Sequence, residues 1–189
     1  MRFSLVVLTG GKSKRFGSYK CLYKINGKTM IEMIVDSIGE LFDEIIFVGS
    51  NTKLGVGRAV EDIHPNRGPV GGLETALLNS KHESIFLIAC DTPFVSSKVV
   101  KTIIDSKEHH PIVCPIIDKI YQVTHSIYSK SILPLIQKEL EREKPSLTHI
   151  VLSTPNTLFL DENHFQQLHG YKKSFKNFNF KEDFEVHDT

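Results

Sequence analysis

Four short runs of apolar residues constrain the fold of this chain more than any other feature of its sequence. The runs are rich in branched side chains, and Ser4 is their one polar residue; the four cover Phe3 to Leu8, Ile45 to Val48, Ile85 to Cys90 and Ile112 to Ile117. Short continuous runs of this kind are typical of strands buried on both faces of a parallel sheet. We therefore predict that these four segments form the centre of the fold.

Segments with helical spacing separate the apolar runs. Thr29 stands three residues before Glu32, as in a capping box, and apolar residues follow at helical spacing to Ile38. Residues 68–72 are predicted to form a loop before a short helix over 73–78, and Ser96 or Ser97 is predicted to begin a helix through about Ile104. The alternation predicts an α/β fold, a three-layer, Rossmann-like and mostly parallel sheet with helices on both faces.

The pattern changes after residue 118. Weak alternation predicts an antiparallel strand over 121–128, and the stretch 132–140 predicts a helix whose first turn contains Pro134. Ser146 is expected to cap a helix through Leu152, a strand is expected over 157–160, and the phenylalanine-rich tail over 175–184 is expected to pack back onto the body. The length of 189 residues and the lack of a linker or repeat predict one domain over residues 1–189.

Charge and cysteine content exclude several classes of protein. The 23 Lys and Arg residues nearly balance 22 Asp and Glu residues, so the chain lacks the basic field of a nucleic-acid binder. No stretch is long and apolar enough for a transmembrane helix. Three widely spaced cysteines, Cys21, Cys90 and Cys114, predict neither a disulfide framework nor a zinc finger and fit a reducing compartment. We expect a cytoplasmic protein that binds neither nucleic acid nor membrane.

A glycine-rich basic loop follows the first predicted strand. Adjacent Gly10 and Gly11 allow backbone N–H groups to approach an anion, and Arg15 and Lys20 can neutralise a polyphosphate. Ligands of open α/β sheets bind at this end of the strands. The loop is not a Walker A motif, because Val6 stands where that motif needs glycine, and it lacks the dinucleotide fingerprint. The alternative is a solvated basic loop, as we expect for Lys12 and Lys14.

Five segments together resemble a known family. The loop over 8–20 matches the pattern LxGGxxxRxGxxK, and it is followed by Asn26-Gly27-Lys28, by Glu61-Asp62 with Gly68-Pro69-Val70-Gly71-Gly72-Leu73, by Ala89-Cys90-Asp91-Thr92-Pro93-Phe94 and by Phe175-Lys176-Asn177-Phe178-Asn179. In order and spacing these segments resemble the molybdenum cofactor guanylyltransferases of the MobA-like nucleotidyltransferase family, which implies the nucleotide-diphospho-sugar-transferase type of α/β fold. The chain departs from the family at Tyr19, usually Asp, at Thr9, usually Ala, and at Val48 or Gly49, where Asn is expected.

The resemblance implies a reaction and a set of site residues. The reaction is the Mg²⁺-dependent transfer of GMP from GTP to the phosphate of molybdopterin, with release of pyrophosphate. It implies GTP, a molybdopterin-type acceptor and proteins of molybdoenzyme maturation as partners. The implied catalytic residues are Lys20, Arg15 and Asp91, with Asp91 as the metal ligand, and the implied substrate contacts are Leu8, Thr9, Gly10, Gly11, Lys20, Asp62, Gly71, Gly72, Asp91 and Asn179. Gly71 and Gly72 are expected to open a helix whose N–H groups meet the nucleotide.

Other interpretations of these residues stay open. Asp91 can also cap a turn through Thr92, and Asp62 can be an ordinary surface residue. The enzyme can instead be a cytidylyltransferase or act on another small acceptor, or the chain can be a nucleotide-binding regulator without turnover, which Tyr19 and Thr9 would favour. The spacing of the histidine pairs, His109 with His110 and His164 with His169, does not match a helical metal pair, and we expect a structural or surface role for His125.

Overall fold

The computed structural model describes residues 2–10, 20–49 and 55–178. Within these ranges an eight-stranded sheet forms the centre of the fold, and a two-stranded hairpin lies outside it. The strands are β1 (Phe3–Leu8), β2 (Lys24–Ile25), β3 (Lys28–Thr29), β4 (Glu44–Val48), β5 (Arg58–Val60), β6 (Ser84–Ala89), β7 (Ile112–Ile117), β8 (Ile120–Tyr121), β9 (His125–Ser129) and β10 (Leu158–Leu160). The helices are α1 (Met30–Ile38), α2 (Gly68–Asn79), α3 (Ser97–Asp105), α4 (Leu133–Leu140), α5 (Leu147–Ser153) and α6 (Tyr171–Ser174).

The sheet is mostly parallel, as the sequence predicts. Its order is β10-β7-β9-β6-β1-β4-β5, with β8 paired to β7. Strand β1 pairs in parallel with both β4 and β6, and β4 pairs in parallel with β5. Strand β9 is antiparallel to both of its neighbours, β6 and β7. The antiparallel strand predicted after residue 118 is confirmed, although the chain divides it into β8 and β9.

Helices cover both faces of the sheet, which confirms the three-layer fold. On one face the side chains of Leu5 and Val7 belong to an apolar cluster with residues of α1 and α3. On the other face Val6 and Leu8 belong to a second cluster, with residues of α2, α4 and α5. All six residues of β1 are buried, as expected for a central strand whose apolar run is continuous.

The predicted capping box is present at the start of α1. The Thr29 hydroxyl accepts from the Glu32 N–H at 3.2 Å, and the Thr29 N–H donates to a Glu32 carboxylate oxygen at 2.7 Å. The helices predicted after Ser146 and around Pro134 also form, with the Ser146 hydroxyl accepting from the His149 N–H at 3.3 Å. Hydrogen bonds between residues no more than four positions apart fix where these helices begin. The residue types that form such bonds can be recognised in the sequence.

The predicted loop over residues 68–72 is wrong, because α2 begins at Gly68. Proline is tolerated in the first turn of a helix, where its missing N–H has no partner in any case, so Pro69 does not prevent this start. Burial of α2 against the sheet outweighs the weak helix propensity of its three glycines. In the described part of the chain, no helix is long and apolar enough to cross a membrane.

His125 lies in the apolar core, which confirms a structural role for this residue. Its side chain is 2% exposed and packs between Phe86 and Phe175, with ring centroids 5.3 and 4.6 Å away. Neither ring nitrogen has a hydrogen-bond partner among the described residues. Burial disfavours the charged imidazolium and lowers the pKa of His125 to about 3.

We predict that this histidine destabilises the protein in acid. Below pH 6.5 the imidazole takes up a proton in the unfolded chain but stays neutral in the fold, so stability falls by about 1.4 kcal/mol per pH unit until about pH 3. Between pH 7 and pH 5 the loss from this group is about 2 kcal/mol. Urea unfolding of wild type and His125→Phe at both pH values measures it. Equal losses in the two proteins would contradict the assignment.

Candidate active site

The ends of four parallel strands define one edge of the sheet, which we call the carboxyl edge. Leu8 is in register with Val48 of β4 and Ala89 of β6, and Val48 is in register with Val60 of β5. Two positions past this row stand Gly10 after β1, Asp91 after β6 and Asp62 after β5. Strands lie about 4.8 Å apart, so Asp62 and Asp91 are separated by roughly 14 Å along the edge.

The backbones after β1 and β4 touch each other at this edge. A Cβ on Gly49 would lie 2.7 Å from the Cα of Gly10, and Gly49 has a φ of +107°. A side chain at Gly49 would therefore clash and strain the backbone. Thr9, the departure from the family pattern, is buried and donates to the Val48 carbonyl through both its N–H and its hydroxyl, at 2.9 Å each. Its side chain ties β1 to β4.

Asp91 is half-buried directly beyond β6. The N–H of Cys90 donates to the Leu8 carbonyl at 3.1 Å, and the N–H of Phe178 donates to the Asp91 carbonyl at 2.8 Å. The hydroxyl of Thr92 closes the turn by donating to the Ala89 carbonyl at 2.9 Å. The Asp91 backbone is therefore held between the end of β1 and the returning C-terminal segment.

The start of α2 packs against the end of β1. A Cβ on Gly72 would lie 2.7 Å from the Cδ2 of Leu8, and a Cβ on Gly71 would lie 2.9 Å from the His64 carbonyl oxygen. These glycines do not open the helix; they are its fourth and fifth residues, where an N–H donates to a carbonyl four residues back. Close packing gives a reason for both glycines, and their contact with a nucleotide stays a prediction.

Asp62 is half-buried and is held by its neighbours. One carboxylate oxygen accepts from the His64 N–H at 2.9 Å and from the Thr75 hydroxyl on α2 at 3.2 Å. These bonds fix the carboxylate at the β5 end of the carboxyl edge. Sequence reasoning identified the residue but not its anchor, because Thr75 lies thirteen positions away.

Cys21 and Cys90 form a disulfide, so the prediction that the cysteines stay unpaired is wrong for this pair. Cys21 lies in a 3₁₀ turn, Lys20–Leu22, directly after the glycine-rich loop, and both cysteines are buried. Their Cα atoms are 5.4 Å apart, which fits a disulfide. A separation of 69 positions left no signal of the pair in the sequence, but parallel pairing of β1 with β6 brings the segments after both strands together. Cys114 is free and buried, as expected.

The disulfide brings two predicted catalytic residues close in the backbone. Lys20 directly precedes Cys21, and Asp91 directly follows Cys90. Since consecutive Cα atoms are about 3.8 Å apart, the Cα atoms of Lys20 and Asp91 lie no more than about 13 Å apart. A lysine side chain and a ligand phosphate can bridge such a distance.

Several predicted site residues lie outside the described residues. They are Gly11, Arg15 and Asn179, together with Lys12, Lys14 and Tyr19 of the same loop. The backbone of Lys20 is described but its side chain is not. Their predicted roles stay predictions.

Asp91 suits a magnesium ion through the chemistry of its carboxylate. Mg²⁺ prefers one or two carboxylates completed by substrate phosphates and water, which fits a strand-end carboxylate beside a glycine-lined backbone. Within the described ranges, the one cluster of three residues able to hold a metal is Glu108, His109 and His110, just before β7. Because β7 runs in the same direction as β1, that cluster is at the opposite edge from Asp91.

The fold and the carboxyl edge define the class of protein. A mostly parallel sheet with glycines and a carboxylate at the carboxyl ends of its central strands is typical of α/β enzymes that bind nucleotides. A solved structure described as molybdopterin-guanine dinucleotide biosynthesis protein A from Archaeoglobus fulgidus has the same fold. Its TM-score is 0.81 at 19% identity, covering 97% of this chain and 96% of that one. A 2-C-methyl-D-erythritol 4-phosphate cytidylyltransferase from Thermus thermophilus gives 0.72 at 13% identity, covering 98% and 97%.

Sequence comparison identifies the family. The MobA-like NTP transferase domain matches residues 5–154. A probable molybdenum cofactor guanylyltransferase from Natranaerobius thermophilus is 32% identical over 96% of this chain and 93% of its own length. A molybdenum cofactor guanylyltransferase from Desulfosudis oleivorans is 30% identical over 95% and 91%. The chain belongs to the MobA-like NTP transferase family and is a nucleotidyltransferase, which confirms the resemblance seen in its motifs.

We predict that the Cys21–Cys90 disulfide contributes about 4 kcal/mol to stability. It closes a loop across 69 positions, and the loss of loop-closure entropy in the unfolded chain gives a stabilisation of this size. Thermal unfolding with and without a thiol reductant tests it. Reductant should lower the midpoint for wild type and for Cys114→Ser and should leave Cys21→Ser unchanged. A wild-type midpoint that does not respond to reductant would contradict the pairing.

Proposed function

We propose that this nucleotidyltransferase transfers GMP from GTP to the phosphate of a molybdopterin-type acceptor and releases pyrophosphate. The observation that carries the proposal is the convergence of Gly10, Asp91 and the backbone of Lys20 at the carboxyl edge of the sheet. The names of the two relatives above, which align with nearly the whole chain, support GTP as donor and the pterin as acceptor. The partners in molybdoenzyme maturation and the expected cytoplasmic location are part of this proposal, although the Cys21–Cys90 disulfide removes the cysteine pattern as a ground for that location.

The reaction joins two anions, so positioning and charge neutralisation supply most of the rate acceleration. An oxygen of the acceptor phosphate attacks the α-phosphorus of GTP, and the bond from that phosphorus to the oxygen bridging to the β-phosphate breaks. The attacking oxygen is already ionised at neutral pH, so the site needs no strong general base. Asp91 would hold a Mg²⁺ ion, which supplies positive charge to the triphosphate when bound.

The remaining groups would bind and orient the two substrates. Lys20 and Arg15 would contact phosphate oxygens, and Gly10 and Gly11 would let backbone N–H groups approach them. The close contact of Gly49 with Gly10 keeps side chains out of this part of the edge. Asn179 would contact the metal or the acceptor; in the sequence it directly follows Phe178, whose N–H donates to the Asp91 carbonyl.

The far end of the carboxyl edge would recognise the base. Guanine presents N1–H and the 2-amino group as two adjacent donors, and a carboxylate accepts from both. Asp62 lies roughly 14 Å from Asp91, so one nucleotide can place its base near the first and its phosphates near the second. The Thr75 hydroxyl holds the Asp62 carboxylate in position. Backbone carbonyl groups around Leu8–Gly10, which lie between Asp62 and Asp91 along the edge, would add further acceptors.

Cytidylyltransfer is the second candidate, because a cytidylyltransferase shares this fold along nearly its whole length. At 13% identity this likeness supports the shared fold alone and does not determine which nucleotide base the enzyme accepts. The regulator without turnover loses the support of Thr9, because that residue has a structural role: its hydroxyl donates to the Val48 carbonyl and ties β1 to β4. Measured turnover distinguishes the regulator from both enzymes.

We predict that Asp91→Asn lowers kcat by about 10²–10³-fold. The amide keeps the shape of the carboxylate but removes the charge that would hold Mg²⁺, and the loss of one preorganised charge-stabilising group has this size. Pyrophosphate release and product mass, measured against Mg²⁺ concentration, test it. Asp105→Asn, which alters an exposed carboxylate at the end of α3, is the matched control and should retain wild-type turnover. Wild-type rates in Asp91→Asn would refute the metal assignment.

We predict a preference for GTP over CTP and ATP of roughly tenfold or more in kcat/KM. A buried acceptor left without its donor costs about 1–3 kcal/mol, which corresponds to this factor. Asp62→Ala should reduce the preference. The control is Glu61→Ala, which removes the exposed carboxylate next to Asp62 in the chain, and should retain the preference. If CTP is the better substrate, the cytidylyltransferase alternative is correct.

A further inference from the structure

A cavity of about 420 Å³ opens at the edge of the sheet opposite the carboxyl edge. We call it the amino-edge cavity; its lining includes Phe3, Ser84, Lys107, His109, Pro111 and Ser129. Phe3 begins β1 and Ser84 begins β6, while Pro111 directly precedes β7 and Ser129 ends the antiparallel β9. β1 spans roughly 17 Å from Phe3 to Leu8, so this cavity is separate from the candidate active site.

Lys107 is the unusual residue of this cavity. It lies two positions beyond the end of α3 and is only 5% exposed. Its ammonium forms no hydrogen bond or ion pair with the part of the chain that the structure describes. Lysine is almost never buried to this extent unless it is paired, because an ammonium withdrawn from water without a partner is costly. Burial lowers the pKa of Lys107, and the charge of Glu83 opposes that shift.

A second buried charged residue at the same edge differs from Lys107, because protein groups contact both oxygens of its carboxylate. Glu44, at the start of β4, accepts from the Ser4 hydroxyl at 2.6 Å and from the Lys81 N–H at 2.9 Å. Arg58 contacts its other carboxylate oxygen at 3.2 Å. The fold thus satisfies a buried carboxylate here with protein groups, whereas Lys107 faces a cavity.

The other groups around the cavity suit an anion with a small apolar part. The Ser84 and Ser129 hydroxyls lie 3.0 Å apart, so one of them can donate to the other while the second donates to a ligand. Arg2 adds a positive group and His109 a protonatable one. The Arg2 Nε lies 3.2 Å from a carboxylate oxygen of Asp43. Phe3 and Pro111 contribute apolar surface. Glu83 is exposed and is the acidic residue among those lining the cavity.

We propose that the amino-edge cavity binds a small organic oxyanion, a carboxylate or a phosphate monoester, with Lys107 as its charged partner. The ammonium donates to the oxyanion, and a serine hydroxyl adds a second donor. A charge-assisted hydrogen bond of this kind is about twice as strong as a neutral one. The volume lies within the range of small-molecule sites. The ligand is distinct from the nucleotide, because the two edges lie at opposite ends of β1.

The test uses the full chain labelled with ¹⁵N and titrated separately with sodium phosphate, sodium acetate and sodium chloride at matched ionic strength. We expect saturable amide shifts at Ser84, Lys107 and Ser129 with phosphate or acetate and none with chloride. Lys107→Met should weaken that binding about tenfold or more, since it removes a hydrogen bond to a charged group. Lys101→Met, which alters an exposed lysine on α3, the helix that precedes Lys107, should bind like wild type.

The two probes also identify the ligand class. Saturation by phosphate alone indicates a phosphate monoester, and saturation by acetate alone indicates a carboxylate. Ser129→Ala serves as a second variant that keeps the charge, and it should weaken binding less than Lys107→Met. Shifts that do not saturate, that chloride reproduces, or that persist unchanged in Lys107→Met would overturn the proposal. Phosphate bound at the carboxyl edge shifts other amides, so the proposed nucleotidyl transfer is tested independently.

Discussion

Strand β1 is hydrogen-bonded on both sides and buried on both faces, and the positions of the other elements depend on it. Its odd-numbered side chains pack towards α1 and α3, and Val6 and Leu8 pack towards α2. A strand in that environment satisfies its backbone only through neighbours, here β4 and β6. Both neighbours are parallel to β1, so all three strands end at the same edge. The glycine-rich loop therefore starts where three chain segments meet.

Crowding at this meeting point explains the residues found there. The backbone after β4 approaches the backbone after β1 so closely that Gly49 leaves no room for a Cβ. Leu8 approaches the first turns of α2 at Gly72 in the same way. At Gly10 and Gly49 the edge therefore consists of backbone without side chains, which suits phosphate oxygens. Asp91 and Asp62 place carboxylates at its two ends.

The Cys21–Cys90 disulfide adds a covalent constraint to the same edge. It joins the segment after the glycine-rich loop to the residue before Asp91. The opposite edge has no comparable link in the described ranges, and there a network around Glu44 and a cavity beside Lys107 lie between strand starts. The two edges of one sheet thus present different chemistry, backbone and carboxylate on one side and an ammonium on the other.

The sequence by itself determined the class of fold and predicted the position of the candidate site. Continuous apolar runs predicted the buried strands with nearly correct bounds, and the Thr29–Glu32 box located α1, because these features depend on a few neighbouring residues. The motifs placed Asp91 and the glycine-rich loop directly after predicted parallel strands. Because parallel strands end at the same edge of a sheet, the sequence also predicted that these segments lie near each other. Only the tertiary structure revealed the Cys21–Cys90 pair, the anchor of Asp62 on Thr75 and the burial of Lys107. Each depends on contacts between distant segments, and only the packing of helices onto the sheet decides which of those segments meet.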